Sequence, residues 1–306
     1  MTFLSLLAAL LLEQVWPLRQ GNLIHGWFDQ LALVLESRCN GGQYRHGVIA
    51  WALAVAPLLA MTVAVSVALH QMSLFAGLAW NIAVLYLTMG FRQFSHAFRD
   101  IQLALQAGDL PAARDRLGEW RGESAAELNT GEIARVAIEQ GLMASHRCVF
   151  GTLLWFLVLG PAGAMLYRTS TLLAERWGAR NDPEFTEFGR FAGRVFTWLD
   201  WVPARLTAVS FAVAGDFEDA VYCWRTQATG WIPRSQGVVL ATGAGALGVR
   251  LGDTLHQDGS LQFRPQLGTG VAAEVDHLQS AVGLIWRSLV LWMFLVLLVG
   301  VARALG

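Results

Sequence analysis

Four stretches of the chain carry no charged residue: Val48–Leu69, Ser73–Gly90, Cys148–Tyr167 and Ser288–Ala302. An uncharged, mostly apolar run of about 18 or more residues spans the hydrocarbon core of a bilayer as a helix. The last run falls short by itself, and the flank Ala281–Trp286 extends it if Arg287 snorkels its guanidinium to the headgroups. The pattern therefore predicts an all-α fold, a polytopic helical membrane bundle with amphipathic helices on its cytoplasmic side. Residues 1–306 form one such domain, with apolar segments at about 2–12, 48–69, 73–90, 148–167 and 281–302. Residues 206–215 and 237–251 are candidates for re-entrant or additional membrane segments.

Local signals refine the elements. Met1–Leu12 lacks the positive charge of a signal peptide, and no A-x-A site precedes Glu13, so a retained helix broken near Pro17 is expected. Arg19–Gly47 reads as a mixed segment with a turn at Gly41–Gly42. The short connection His70–Met72 makes the two flanking runs an antiparallel helical hairpin. Phe91–Arg147 is charged with a helical period. Within it Asp109-Leu-Pro111 is an N-cap followed by proline. Asn129-Thr-Gly-Glu132 has the spacing of a capping box. On the helix it opens, Glu132, Arg135 and Glu139 share the face opposite the apolar one, and Arg135 with Glu139 reads as an exposed i, i+4 pair.

Gly160-Pro161 interrupts the third run, a break tolerated where the freed backbone groups are buried in protein or line a cavity. Asn181-Asp-Pro-Glu184 starts a helix that is amphipathic from Phe185 to Trp198, and Leu206–Gly215 is apolar but too short to span alone. Gly237–Val249 is open to three readings: a close-packed helix, a re-entrant loop or a phosphate-facing turn. His256–Gly270 has the composition of a surface loop.

Composition supports the membrane reading and excludes several chemistries. Hydrophobic residues make up 55% of the chain, and mean hydropathy is +0.44. The net charge of −1 offers no basic face for nucleic acid. All 22 basic residues are arginine, which removes Schiff-base and P-loop lysines. Three cysteines far apart make no disulfide framework or metal site, and the seven histidines lack ligand spacing. Thirteen tryptophans suit helix ends at the lipid interface. Ten arginines flank the first hairpin, at 13–47 and 91–147, which places those flanks in the cytoplasm. Four simple spans would leave the eleven arginines from Arg168 to Arg287 outside, so the third run must re-enter or another segment must pass the membrane.

Four blocks carry a family resemblance: AGDLPAARDRL followed by NTGEIARVAIEQ, then LLWFLVLGPAGAMLYR, then RVFTWLDWVPARLTAV, then GALGVRLGD. In that order they resemble the CobD/CbiB membrane proteins, whose enzymes join an aminopropanol unit to adenosylcobyric acid late in cobalamin synthesis. The resemblance implies a motif E-S-x-A-E-N-T-x-D-G before the third run. Its first glutamate is matched by Glu139, while its later E, N, T and D fall on Met143, Ala144, Ser145 and Arg147. A second motif, N-T-L-D, falls on Thr171 to Ala174 and loses its amide and acid. Paired aspartates fall on Phe196 and Thr197, and an S-P-N motif falls on Pro233, Arg234 and Ser235. Tyr167-Arg168, Arg194, Asp200, Pro203-Ala-Arg205 and the glycine-rich block through Arg250 and Asp253 remain.

The lost acids, together with an opening FLSLLAALLLEQVWPL that resembles the AmpE branch, favour a non-enzymatic, AmpE-like inner-membrane signalling modulator. The alternative is a diverged ligase of cobalamin synthesis, with ATP and Mg²⁺ implied only there. The expected partners are the lipid bilayer and an unidentified small ligand or protein, and not nucleic acid. A transporter would need two halves with matched broken helices, which the chain lacks.

The ligand-binding candidates are Glu139, Arg168, Arg194, Asp200, Arg205, Arg250 and Asp253, with no catalytic or metal residue assigned. Glu139, Arg194, Asp200 and Arg205 are expected at one cytoplasm-facing cavity. Proline at 203 is expected to bring Asp200 and Arg205 together as a clamp or a structural pair. Tyr167-Arg168 reads most simply as an interfacial pair, and Arg147 as a cation snorkelling to the headgroups.

Overall fold

The computed structural model describes residues 2–16, 23–89, 91–178, 183–257 and 259–305. Helices α1 (Thr2–Val15), α2 (Leu23–Cys39), α3 (Tyr44–Met72) and α4 (Leu74–Thr88) come first. They are followed by α5 (Phe91–Gln106), α6 (Leu110–Arg121) and α7 (Thr130–Ser145). A π-helical turn, His146–Phe150, runs into α8 (Gly151–Leu159), and α9 (Pro161–Leu173) follows Gly160. Then come α10 (Pro183–Ala214), α11 (Phe217–Gln227) and α12 (Arg234–Leu247). Four short strands, β1 (Val249–Arg250), β2 (Leu255–Gln257), β3 (Ser260–Gln262) and β4 (Val271–Ala272), precede α13 (Val275–Leu305). This is an all-α membrane helical protein. Among the described residues three helices are long and apolar enough to cross a bilayer: Tyr44–Met72, the composite Thr130–Leu159 and Val275–Arg303.

The chain divides into two compact units, one of Met1–Gly90 with Arg147–Trp201 and one of Phe91–His146 with Val202–Gly306. In the first, Ser73 alone separates α3 from α4, closing one helix and accepting a hydrogen bond from Ala76 N at the start of the next. The hairpin expected from the short connection is present, with Trp80 Nε1 donating to Ser66 Oγ at 2.9 Å across it. Gly47, Ala50 and Ala54 on α3 allow close backbone approach, and a Cβ on Gly47 would stand 2.0 Å from Phe188 O. Their neighbours Phe28, Ala32, Leu173, Trp177 and Phe188 complete this core. Small residues at such seams are how membrane helices pack without a hydrophobic drive between them.

The third apolar run does not cross as one helix. At Gly160 the backbone takes φ +66°, Pro161 starts a new helix, and α8 and α9 lie against each other. The segment Arg19–Gly47 contains a helix, α2, that its mixed composition concealed. Residues 17–22 and 179–182, with the break near Pro17 and the start of the Asn181 motif, lie outside the described residues. From Pro183 onward α10 runs unbroken for 32 residues, with Pro203 inside it, joining two segments that the sequence pattern reads separately.

In the second unit α7 is the hub. Its N-terminus is the expected capping box, with Asn129 Oδ1 accepting from Glu132 N at 2.9 Å and Glu132 Oε2 accepting from Asn129 N at 2.8 Å. Ile133, Val136, Ala137, Ile138 and Leu142 are buried, and α7 packs against α5, α6, α12 and α13. The glycine-rich segment is the close-packed helix of the three readings: Cβ atoms on Gly243 and Gly245 of α12 would meet Leu142 and the Asp219 backbone. Asp216 caps α11 by accepting from Asp219 N, and Glu218 and Asp219 place acidic charge in its first turn.

Gly163 faces Trp155 O across the α8–α9 turn, and an added Cβ would stand 2.0 Å from it. Gly163→Ala is expected to cost about 1–3 kcal/mol through forced separation of the two helices. Gly283 of α13 has nothing within 4 Å, so Gly283→Ala is expected to be neutral or stabilising. Thermal unfolding of both variants in detergent checks the contrast.

Candidate functional site

Helix α7 presents Glu132, Arg135 and Glu139 at i, i+3 and i+7, on one face. That face is covered by the segment between α12 and α13. Gly248 ends α12 in a left-handed conformation, and β1 then pairs in parallel with β4, Val249 opposite Val271 and Arg250 opposite Ala272. Leu251 bridges Leu267, and β2 pairs antiparallel with β3. The region read as a surface loop, His256–Gly270, thus contains a hairpin and buries Leu267.

The centre of the arrangement is Glu139, only 6% exposed. Its carboxylate accepts from Arg264 Nη1 at 2.7 Å, from Arg264 Nη2 at 3.3 Å and from Gly252 N at 2.7 Å. Arg264 also donates to Gly252 O and lies over the Trp231 ring. The exposed pair expected between Arg135 and Glu139 is therefore corrected. Arg135 is mostly buried and donates to Thr254 O at 2.5 Å, with Asp253 Oδ2 at 3.6 Å, while Glu139 needs the guanidinium that the folded-over segment supplies. Glu132 Oε1 meets His256 Nδ1 at 2.9 Å, and Glu127 accepts from Gly259 N. Both bonds fasten the β2–β3 hairpin to the start of α7.

Between these contacts is a pocket of about 340 Å³, lined by Asn129, Glu132, Arg135, Arg250, Asp253 and Gln266 among others. Two guanidiniums and two carboxylates face one space, an arrangement suited to a ligand carrying both an anionic and a cationic or hydroxyl group. Gly252 and Asp253 form its sharp turn, both with positive φ, and Asp253 caps its own turn by accepting from Thr254 N.

Of the sequence candidates, Glu139, Arg250 and Asp253 meet in this second unit. Arg205, in the same unit, lies within electrostatic reach of Arg234. Arg168, Arg194 and Asp200 belong to the first unit. There Tyr167, fully buried, donates its hydroxyl to Asp200 Oδ1 at 2.7 Å, and Trp155 Nε1 donates to Leu199 O. Tyr167 is therefore an interior hydrogen-bond donor and not an interfacial anchor, because a buried carboxylate requires a partner. Arg168 Nη1 approaches Cys148 Sγ at 3.5 Å, and Arg194 lies over the Tyr44 ring. Arg147 is corrected too: it pairs with Glu175 at 2.8 Å and lies over Phe196, finding protein partners instead of headgroups.

Sequence reasoning missed Arg264, His256 and Gln266. No local periodicity marks them, and the one available signal was Glu139 itself, an acid on a helix of otherwise apolar burial that must have a counter-charge.

Residues 6–285 match the sequence model of the CobD/Cbib protein family. The chain belongs to that family. A protein named Cobalamin biosynthesis protein CobD from Stutzerimonas stutzeri is 40% identical over 97% of both chains. Proteins of the same name from Chromobacterium violaceum and Mycobacterium tuberculosis are 38% and 32% identical, over 79% and 78% of this chain and 72% and 78% of theirs. No solved structure matches.

These findings overturn the AmpE-like regulatory reading, since near full-length similarity is to CobD-named proteins. Several substitutions that motivated it lie at packing positions: Met143, Ser145, Thr171 and Ala174 are buried in helices, and the Ser145 and Thr171 hydroxyls bond their own helix backbone, while Arg147 pairs with Glu175. Among the described residues no group of three or more His, Cys, Asp or Glu side chains is placed to hold a metal ion. At the pocket Glu139 is taken by Arg264, Asp253 faces Arg135 and Glu132 meets His256, so these acids do not fit a resident Mg²⁺.

Two variants test the architecture. Arg264→Met leaves Glu139 buried with its charge uncompensated and is expected to cost about 3–5 kcal/mol, whereas adding Glu139→Gln recovers part of the loss. Gly252→Ala meets Pro265 O at 2.1 Å and a left-handed φ of +71°, and is expected to cost more than the 1–2 kcal/mol, roughly, of the backbone conformation alone. Denaturation midpoints in detergent report both.

Proposed function

We propose that this protein is a multi-pass inner-membrane protein of cobalamin biosynthesis, acting where CobD/CbiB enzymes join an aminopropanol unit to adenosylcobyric acid. The observation that carries the reading is 40% identity, sustained over 97% of both chains, to the Stutzerimonas stutzeri Cobalamin biosynthesis protein CobD. A regulatory offshoot would share the scaffold and drift elsewhere. Here the family match, over residues 6–285, spans the glycine-rich block that builds β1 and the Gly252–Asp253 turn.

The pocket supports the same reading. Arg135 and Arg250 suit a phosphate or carboxylate, and Glu132 and Asp253 suit an amine or hydroxyl. That mixture fits the smaller, polar reactant of an amide-forming step better than the large, mostly apolar face of a corrin. Amide formation at a carboxylate needs activation, and ATP enters in this reading as a substrate.

Complementation tests it. A bacterial strain lacking the family enzyme is expected to regain cobalamin-dependent growth when it carries this chain. Arg250→Ala, which removes an exposed pocket guanidinium with few structural duties, is expected to lower the restored synthesis several-fold at unchanged membrane abundance. No growth despite normal abundance of the unaltered chain would remove the reading.

A further inference from the structure

Over its second half the outward face of α10 carries no charged residue, while its inward face carries several polar ones. From Trp198 to Val213 the exposed positions are Trp198, Trp201, Val202, Leu206, Val209 and Val213. Their spacing of three or four residues forms a single stripe along the helix. At 1.5 Å per residue the stripe is about 22 Å long. It is bounded by charge: exposed Arg190 and Arg194 precede it, and Asp216 and Glu218 follow it.

The inward face fixes where the stripe lies. Thr207 Oγ1 meets His146 Nδ1 at 2.9 Å, and His146 belongs to the apolar composite helix Thr130–Leu159. Ser210 Oγ accepts from Trp292 Nε1 at 2.6 Å, and Ser210 O accepts from Ser288 Oγ at 3.3 Å. Ser288 and Trp292 lie just past Arg287, inside the uncharged run of α13 that continues to Ala302. The turns of α10 that carry Leu206, Val209 and Val213 on their outer side are thus joined on their inner side to both membrane-length helices of this unit, at a level where one of them has no charge.

We infer that the stripe Trp198–Val213 of α10 faces lipid hydrocarbon, making α10 a membrane-embedded helix although its sequence carries Asp200 and Arg205. Hydropathy alone misses it because Asp200, Thr207 and Ser210, which dilute the apolar run, face protein. Two features argue for lipid over a second copy or a soluble partner. The stripe is continuous in character with the exposed Val290, Phe294 and Leu297 of α13, and two exposed tryptophans stand at one end, as in an interfacial belt. A stripe shorter than the roughly 30 Å hydrocarbon core fits a helix that is immersed without needing to cross it fully.

Spin labels test the assignment. Val209→Cys and Val213→Cys, each made with Cys39→Ser, Cys148→Ser and Cys223→Ala, are labelled and placed in phosphatidylcholine nanodiscs. Collision with molecular oxygen, which concentrates in lipid, is expected to be strong at both positions, and collision with a water-soluble nickel chelate weak. A label at Phe263, exposed on the site segment, is expected to show the reverse. Strong nickel collision at 209 and 213 overturns the proposal in favour of an aqueous face. Weak collision with both reagents overturns it in favour of a protein partner or second copy. Should the cysteine replacements prevent folding, Val209→Arg and Val209→Leu in the otherwise unaltered chain provide a second reading. Several-fold loss of folded membrane protein for arginine alone is expected, and equal yields overturn the proposal.

Discussion

A carboxylate buried against apolar helices must be matched by a donor, and in this protein Glu139 is matched from more than a hundred residues away. Its partners, Arg264 and Gly252 N, lie in a segment with little regular structure of its own: four strands of two or three residues each. Around these contacts Arg135 donates to Thr254 O, Gln227 accepts from Gly268 N and Trp231 donates to Pro265 O, so the segment is tied to its surroundings at several further points. With them, Arg250 and Asp253 are brought beside Arg135 and Glu132, and a polar pocket exists. Such a buried pair adds little net stability compared with an apolar core, but it specifies one arrangement because every alternative leaves a charge unpaired.

The same logic governs the first unit in a different form. Asp200 is satisfied by a neutral phenol, Tyr167, and Arg147 by Glu175 and the face of Phe196. In both units a buried acid is thus satisfied within the protein, Glu139 by Arg264 and Gly252 N and Asp200 by Tyr167. Burial also explains why acids lost from a family motif misled the functional reading. Met143 and Ala174, where the motifs have acids, are buried in helices, as are Ser145 and Thr171 beside them.

Much of the fold was legible because local rules were strong. The capping box at Asn129, the N-cap at Asp109, the α3–α4 hairpin and the stop at Gly160 all follow from a few adjacent residues. The hidden parts had non-local causes. Helix α10 appeared as two fragments because its first half carries exposed charges and its second half buries Asp200, Thr207 and Ser210, which dilute the apolar signal. Arg264 could not be assigned because its partner is 125 residues distant, and α2 was masked by polar positions along an otherwise helical stretch. At the site, the residues on α7 and in the glycine-rich block were visible as types, but their grouping depended on how the last polar segment folds back.

Between β4 and the start of α13 there are only Ala273 and Glu274. So short a joint has no slack. Any tilt of α13 pulls on β4, and β4 is hydrogen-bonded to β1, which carries Arg250 at the pocket rim. Whatever moves the first turn of α13 thus also moves the strand pair that carries Arg250.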